Sequence, residues 1–316
     1  HILGFDEIEV SQKDAKCQLA EKWFEKTVTD SELQVSEDDT QIHIKGREFA
    51  YTIDRRTALF TEMKFAGREY LNHPMELNIW RAPTDNDMYI KSEWKKAHYD
   101  KAYTRAYTTE VVQGKHGVKI TSHASVVAET VQKILDVTIT WKIEAAGKID
   151  ADIAVTKDDE FPDLPRFGVR MFLDKKLSAA RYFGMGPQES YCDKHQAASH
   201  GLYHANVDDL HEDYIRPQEN GSHYDCEYVE LNNSRYGIVA SAEKAFSFNA
   251  SYYTQEELEK KTHNYELTES DSVVFCVDYA LNGIGSNSCG PVVLDQYRFD
   301  DVLFRFQFTL IPYVKG

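Results

Sequence analysis

Apolar and polar residues alternate with a period of two along most of the chain after residue 40. The clearest case is residues 135–143, where Leu, Val, Ile, Trp and Ile alternate with polar neighbours, and residues 149–155 repeat the pattern after a short polar turn. Successive side chains of a strand point to opposite faces of a sheet. The pattern therefore predicts an antiparallel hairpin with one buried face.

Similar alternation predicts further strands in residues 42–44, 49–53, 60–65, 167–173, 238–240, 246–252, 273–281 and 302–310. Helical spacing of apolar residues is confined to residues 92–106 and 255–261, and Thr254 precedes the second segment as a candidate N-cap. The expected fold is all-β. We predict one large, mostly antiparallel β-sandwich over residues 32–316.

The first residues show a different organisation. Residues 1–10 are strand-like, and residues 11–31 are rich in Lys, Glu and Asp without a clear period, which predicts a connector. A strand beyond a connector needs a sheet to pair with, because its backbone groups are otherwise unpaired. It either folds back on its own domain or completes a domain carried by another chain.

Composition and charge narrow the choice of partners. Of the 316 residues, 12% are aromatic, with 19 Tyr and 16 Phe, which suits β-structure. The formal net charge of −16 argues against nucleic acid and anionic membranes as partners. Apolar runs are too short to span a membrane, no leader precedes the first strand, and five scattered cysteines suggest reduced thiols. We expect a cytoplasmic protein.

A dense turn follows an apolar run at residues 78–87. Trp80 and Arg81 precede it, and Asp85, Asn86 and Asp87 form it. An aromatic face beside a bidentate donor is typical of a sugar-facing rim, while a buried Trp beside a solvated acidic turn is the commoner arrangement. The two aspartates are explained better as turn formers than as an acid/base pair or a cation site. We expect no metal site here.

Three further loops combine fixed backbone with polar groups. Residues 182–193 contain Gly186, Pro187 and Glu189, residues 214–223 contain Glu219, and residues 282–291 are rich in small residues. Small residues allow a close approach of backbone to a ligand or to another loop. A purely structural turn is an equally good explanation of each loop. The sequence motifs of serine hydrolases, P-loop enzymes and zinc proteases are absent from the sequence.

These segments carry a family resemblance. The runs Trp-Arg-Ala-Pro-Thr-Asp-Asn-Asp from residue 80, Leu-Pro-Arg-Phe-Gly from 164, Phe-Gly-Met-Gly-Pro-Gln-Glu-Ser-Tyr-x-Asp from 183, Arg-Pro-Gln-Glu-Asn-Gly from 216 and Gly-Ser-Asn-Ser-Cys-Gly-Pro from 285 follow in this order. Together they resemble the C-terminal domain of the large bacterial β-galactosidases of glycoside hydrolase family 2. The chain resembles in particular the small subunit of the two-chain enzymes of lactic acid bacteria.

The resemblance implies a β-supersandwich of the galactose mutarotase type. It also implies that residues 1–10 form the last strand of an immunoglobulin-like domain carried by a large subunit. The acid/base and nucleophile glutamates then lie on that subunit, and none of the catalytic residues lies on this chain. Hydrolysis of lactose and related β-D-galactosides with retention is the activity implied for the whole complex. Mg²⁺ and a monovalent cation are implied for that complex, bound mostly by the large chain.

The resemblance assigns an active-site rim to this chain. Asn287, Ser288 and Cys289 lie in the loop that presents a substrate-stacking Trp in the family, and Cys289 occupies the position of that Trp. A thiol offers no aromatic face, so we expect weaker initial stacking of the sugar. Residues 88–96 match a loop that closes over the active site, with Tyr89 in place of a hinge glycine.

Two other functions are open to the sequence. A mutarotase-like sugar epimerase needs a His acid and a Glu base facing one cleft, and His195, His223 and Glu189 are candidates. A carbohydrate-binding module acting alone is the second alternative. Binding of galactose by the chain without any partner would distinguish that module from a subunit of a divided enzyme.

Overall fold

A computed structural model describes residues 33–130 and 133–315. The strand and the connector predicted in residues 1–10 and 11–31 lie outside the described residues. Within the described part, 17 strands and two short α-helices are joined by turns and 3-10 segments. The predicted all-β, antiparallel supersandwich is confirmed.

The first sheet is a five-stranded antiparallel meander. Neighbouring strands pair in chain order, and Ile42, Ile44 and Tyr51 on its inner face are almost completely buried. The alternation in the sequence dictates this face, because each apolar residue is two positions from the next. Its strands are β1 (Gln34–Glu37), β2 (Gln41–Lys45), β3 (Phe49–Asp54), β4 (Leu59–Phe65) and β5 (Arg68–Glu69).

The remaining strands form one 12-stranded antiparallel sheet. They are β6 (Leu71–Asn78), β7 (Tyr103–Gln113), β8 (Gly117–Val127), β9 (Leu135–Glu144), β10 (Ile149–Lys157), β11 (Arg166–Asp174), β12 (Ala179–Gly186), β13 (Ser199–Asn206), β14 (Ser222–Asn232), β15 (Tyr236–Ser251), β16 (Ser272–Leu281) and β17 (Leu303–Val314). Most of them lie in the order β13-β12-β14-β15-β17-β10-β9-β8-β7.

The large sheet divides along β15. The first part of β15, Tyr236 to Ser241, pairs with β17, whereas its last part, Ser247 to Ser251, pairs with β16. From there β16 pairs with β11, and β11 pairs with β6. The sheet therefore has two branches that separate near residues 242–246.

Aromatic side chains join the two sheets. The ring of Phe60 on β4 lies 4.9 Å from that of Trp141 on β9, and Trp141 also contacts Phe308 on β17 at 6.3 Å. The indole N–H of Trp141 donates to the carbonyl of Ala58 at 2.8 Å. Large aromatic residues remove much apolar surface from water, and the satisfied N–H removes the cost of burying a polar atom.

The predicted hairpin between residues 135 and 155 is confirmed, with Ile143 opposite Ile149 and Val137 opposite Val155. The second predicted helix is also present as α2 (Gln255–Lys260), and the Thr254 hydroxyl accepts from the Glu257 amide at 3.1 Å.

The helix predicted over residues 92–106 is wrong in its extent. Helix α1 (Ile90–Lys96) ends early, and β7 begins at Tyr103. His98 has a left-handed backbone with φ of 58°, which cannot continue a right-handed helix. The apolar residues 102 and 106 that suggested helical spacing belong to the strand region instead.

The loop expected in residues 182–193 is partly a strand. β12 runs through Gly186 and pairs with β13 on one side and with β14 on the other. The glycines of this strand interrupt the alternation of apolar and polar residues, so the sequence did not predict a strand here. A side chain at position 186 would be crowded, because its Cβ would lie 2.4 Å from the Tyr182 hydroxyl and 2.8 Å from the Tyr203 ring on β13. Cross-strand neighbours therefore decide the conformation of this segment.

Candidate functional site

The turn after β6 is anchored in the interior. Trp80 and Arg81 are buried, so the structure matches the alternative of a buried tryptophan. The Trp80 ring meets the ring of Trp94 on α1 edge to face at 6.2 Å, and the Arg81 guanidinium lies 5.3 Å from the Trp94 ring centre. Neither side chain is available to stack on a sugar.

Arg81 ties this turn to the loop after β16. Its guanidinium donates to Asp87 at 2.7 and 3.1 Å and to the carbonyls of Asn282 and Gly283. Burial opposes the charge on Arg81, but the nearby Asp87 carboxylate, together with Glu219 and Tyr191, outweighs burial and raises the pKa of the guanidinium. Asp87 also accepts from the amide and the hydroxyl of Thr84. Its oxygens are therefore occupied within the turn.

A second buried arginine joins two more of the motifs. Arg166 on β11 donates to both oxygens of Asp278 on β16, at 3.1 and 2.5 Å, and to Glu219 at 3.1 Å. All three side chains are essentially inaccessible to solvent. Burial disfavours the ionised carboxylate and raises the pKa of Glu219 despite Arg166. Glu219 has one ionic hydrogen bond here, while Asp278 has two.

Backbone contacts connect the two arginine networks. The amide of Glu219 donates to the carbonyl of Ala82 at 2.9 Å, which links the turn after β6 to the loop before β14. Asp193 accepts from the amides of Ile284 and Gly285 at 2.9 and 2.7 Å. In this way four loops and the start of β11, which are separate in sequence, form one contiguous network.

Glu189 holds the loop after β12. Its carboxylate accepts from Lys194, from the Tyr214 hydroxyl and from the Gly221 amide, the last at 3.0 Å. The Glu189 side chain is only 6% exposed, whereas Pro187 before it is exposed. Glu189 therefore fixes the turn that carries Glu219 against the end of β12.

Asn86 fixes the loop that contains Cys289. Its amide donates to the Gly285 carbonyl at 2.7 Å, and its oxygen accepts from the Ser288 hydroxyl at 2.7 Å and from the Ser288 amide at 3.2 Å. Ser288 and Cys289 are exposed, and Asn287 is half-buried. The loop therefore presents small polar groups on a fixed backbone. We call residues 285–290 the Cys289 loop.

The segment after Asp87 follows directly on the turn whose Asn86 holds the Cys289 loop. Tyr89 is 62% exposed, and its backbone is in the ordinary right-handed region at φ of −95°. Helix α1 is anchored by Trp94, which is fully buried and donates to the Asp163 carbonyl at 2.8 Å. This backbone conformation of Tyr89 requires no glycine.

Asp85 differs from its neighbours in the turn. Its carboxylate is exposed, while its amide donates to Gln218 at 3.1 Å. Because Asp87 is committed to Arg81 and Thr84, the two aspartates do not form a joint cation site. Among residues 33–130 and 133–315, no group of three His, Cys, Asp or Glu side chains is arranged to hold a metal ion.

The epimerase candidates are held in structural contacts. His223 is buried between Tyr182 and Phe248, and burial lowers its pKa to about 4. His195 approaches the Tyr191 carbonyl at 2.9 Å, and Glu189 is paired with Lys194. The structure does not place a free His acid and a free Glu base in one cleft in the part of the chain that it describes.

Asp278 was missed in the sequence, and Asp193 was included only as the last residue of a loop motif. Asp278 and Asp193 each fix a neighbouring loop, through Arg166 and through two amides respectively. Asp278 carried a usable signal, because it is the one charged residue in an otherwise apolar strand. Asp193 ends the motif that begins at residue 183, but the sequence did not indicate its two amide partners.

One family model and three known proteins are similar to this chain. The family described as "Beta galactosidase small chain" matches residues 45–310. The β-galactosidase of Actinobacillus pleuropneumoniae is 43% identical over 98% of this chain and 30% of its own length, and that of Staphylococcus xylosus is 31% identical with the same coverage. The crystal structure of galactose 1-epimerase from Lactobacillus acidophilus NCFM covers 90% of this chain and 99% of its own, with 7% identity and a TM-score of 0.47.

The chain spans about 30% of the length of the curated relatives that it matches. In the described residues, every helix is too short or too polar to cross a bilayer. The family match covers most of the chain and includes the four connected loops and the start of β11. The chain therefore belongs to the β-galactosidase small chain family.

Proposed function

We propose that this chain is the small subunit of a β-galactosidase that hydrolyses terminal β-D-galactosides such as lactose with retention. In this proposal a large subunit carries the acid/base and nucleophile glutamates. The small subunit completes the fold and one wall of the active site. Two curated β-galactosidases support the assignment, because this chain matches about 30% of the length of each.

The observation that carries the proposal is the state of the carboxylates in the connected loops. Retaining hydrolysis needs two carboxyl groups about 5 Å apart that face the glycosidic bond. Asp87, Glu219 and Asp278 are instead each paired with a buried arginine, and Glu189 is paired with the exposed Lys194. They position the loops of the rim and leave no carboxylate pair for bond cleavage among these residues.

The rim residues then contact the substrate from one side. Tyr89, Asn287, Ser288 and Cys289 would present a phenol, an amide, a hydroxyl and a thiol to the incoming galactoside. Asn86 holds the Cys289 loop, so these groups are placed before the sugar arrives. Without an aromatic residue at position 289, stacking of the sugar would depend on Tyr89 or on the large subunit.

Other parts of the proposal concern the partner. The strand in residues 1–10 would complete an immunoglobulin-like domain of the large subunit, and residues 11–31 would connect it to the supersandwich. The complete enzyme would act in the cytoplasm and use Mg²⁺ and a monovalent cation. Because the loops described above offer no ligand set that fits such an ion, the metals would be held by the large chain.

Hydrolysis of a chromogenic β-galactoside tests this function. We expect no activity from the purified chain alone and activity after mixing with a separately expressed large subunit. A chain lacking residues 1–10 should retain its fold, measured by circular dichroism, but bind the large subunit more weakly. Activity of the chain alone would refute the assignment, and unchanged affinity after the deletion would refute the role of that strand.

A further inference from the structure

The loop between β10 and β11 contacts segments on both sides of the proposed rim. It comprises residues 158–165 and ends directly before Arg166, whose side chain pairs with Asp278. At its start lies Lys157, a buried lysine whose ammonium group donates to the Phe161 carbonyl at 2.8 Å. A charged donor that bonds to the backbone of the loop restricts the loop to one conformation. We call residues 158–165 the β10–β11 loop.

The helix that follows Tyr89 is attached to this loop. The indole N–H of Trp94 on α1 donates to the Asp163 carbonyl at 2.8 Å. Further along the same segment, the Tyr99 hydroxyl donates to the Pro162 carbonyl at 2.7 Å. Helix α1 has only seven residues, so it is not stable by itself and depends on such tertiary contacts. The position of Tyr89 therefore depends on the β10–β11 loop.

The segment that follows the Cys289 loop is attached to the same β10–β11 loop. Asp163 accepts from the Arg298 guanidinium at 2.7 and 3.1 Å, with one bond to each carboxylate oxygen. The neighbouring Phe299 amide donates to the Asn282 side chain at 2.9 Å, and Asn282 lies shortly before the Cys289 loop. The residues before and after the Cys289 loop are thereby connected to Asp163.

Asp163 is the residue shared by these two sets of contacts. Its main-chain carbonyl binds Trp94, and its carboxylate binds Arg298. The Asp163 side chain is 11% exposed, so water screens the ion pair only partly. Two parallel hydrogen bonds between a guanidinium and a carboxylate fix orientation as well as distance. We call these contacts of Asp163 the Asp163 bridge.

We propose that Asp163 is a positioning residue, which holds Tyr89 and the Cys289 loop in one relative arrangement for the galactoside. This inference rests on the proposed function, in which both groups face the substrate. Asn86 provides one connection between them, and the Asp163 bridge provides a second. Groups that are fixed before binding lose less conformational entropy when the ligand arrives. Loss of the bridge should therefore weaken substrate binding and leave bond cleavage by the large subunit unchanged.

Hydrogen exchange of the purified chain tests the bridge without any catalytic partner. In Asp163→Ala the amides of residues 88–97 and 285–299 should both exchange about threefold faster or more, because exchange follows local opening. Asp163→Asn keeps one acceptor oxygen and should show a smaller increase. Asp152→Ala is the matched control, because Asp152 is 19% exposed and also pairs with an arginine, Arg305, but joins β10 to β17. It should change exchange in neither segment.

Kinetics of the reconstituted enzyme test the role in substrate binding. Asp163→Ala should raise KM for a chromogenic galactoside about threefold to tenfold and leave kcat within about twofold. Arg298→Ala should have the same effect, and the double variant should be no worse than the weaker single variant, since both substitutions remove one bridge. A purely structural role would reduce the amount of folded enzyme, which lowers the apparent kcat without changing KM. Asp152→Ala should match the wild type in both constants.

Asp163→Ala should fold, because the bond from the Leu164 amide to the Phe299 carbonyl, at 3.0 Å, remains. Circular dichroism checks the fold. If Asp163→Ala does not fold, Asp163→Asn takes its place in every measurement.

Three results would overturn the inference. The first is unchanged exchange in either of the two segments, which would exclude the bridge. The second is an unchanged KM in an active mixture, or KM effects of Asp163→Ala and Arg298→Ala that multiply in the double variant, which would exclude the role in substrate binding. The third is an inactive mixture with the wild-type chain, which would refute the proposed function. Faster exchange in both segments would then show that this failure is separate from a failure of the bridge.

Discussion

Removal of the Asp278 carboxylate should destabilise the protein more than any surface substitution. Asp278 and Arg166 are both inaccessible to solvent, and Asp278 provides two of the three ionic hydrogen bonds of Arg166. In Asp278→Ala only Glu219 remains to balance the guanidinium. Burial opposes the charge on Arg166, but Asp278 and Glu219 raise its pKa well above the ordinary value, so the arginine stays ionised.

The expected loss follows from that geometry. Removal of one partner from a buried ion pair costs about 3–5 kcal/mol, because the remaining charge is left without compensation. Folded domains are stable by only about 5–15 kcal/mol, so the loss is a large part of the total. Equilibrium unfolding in urea, followed by tryptophan fluorescence and circular dichroism, measures it as a lower midpoint. Asp278→Asn, which keeps one acceptor, should lie between the wild type and the alanine variant.

Asp295→Ala is the matched control for this measurement. Asp295 also pairs with an arginine, Arg298, at 3.4 Å, but its side chain is 97% exposed. Exposed ion pairs contribute about 0–1 kcal/mol, because water and salt screen them. If Asp278→Ala and Asp295→Ala lower the free energy of unfolding by amounts within about 1 kcal/mol of each other, the reasoning from burial is refuted.

Three further predictions concern other parts of the structure. The pKa of His223 is lowered to about 4 from 6.5, so the wild type should lose about 3 kcal/mol of stability as the pH falls from 6.5 to 4. His223→Gln should remove that part of the pH dependence in urea unfolding, and an unchanged slope would contradict it. Gly168→Ala should cost about 1–3 kcal/mol, because the new Cβ would lie 2.3 Å from the Val277 carbonyl. A melting temperature equal to that of the wild type would contradict this prediction, because it would show that β11 and β16 can move apart to accommodate the new methyl group. In the reconstituted enzyme, Cys289→Trp should lower KM for a galactoside with little change in kcat, since it adds an aromatic face at the rim. Leu202→Trp, on an exposed strand position, is its control, and an equal change in both would exclude a local effect.

The strand pattern was predictable where one face of a strand is buried and the other is exposed. β9 and β10 show this, because period-two alternation defines both the strands and their register. Prediction failed where backbone conformation or pairing on both sides decides the structure. The early end of α1 depends on the left-handed His98, and β12 depends on its two neighbours, although its glycines suggest a loop.

The same division holds for the candidate site. By itself the sequence determined the all-β class, the family resemblance and the four unusual loops, because turn-forming residues and alternation are local properties of the chain. Only the tertiary structure decided which groups meet. Arg81 joins residues 201 and 202 positions away, and Arg166 joins Asp278 across 112 positions. The branch of the sheet likewise arises from long-range pairing, which local sequence does not encode.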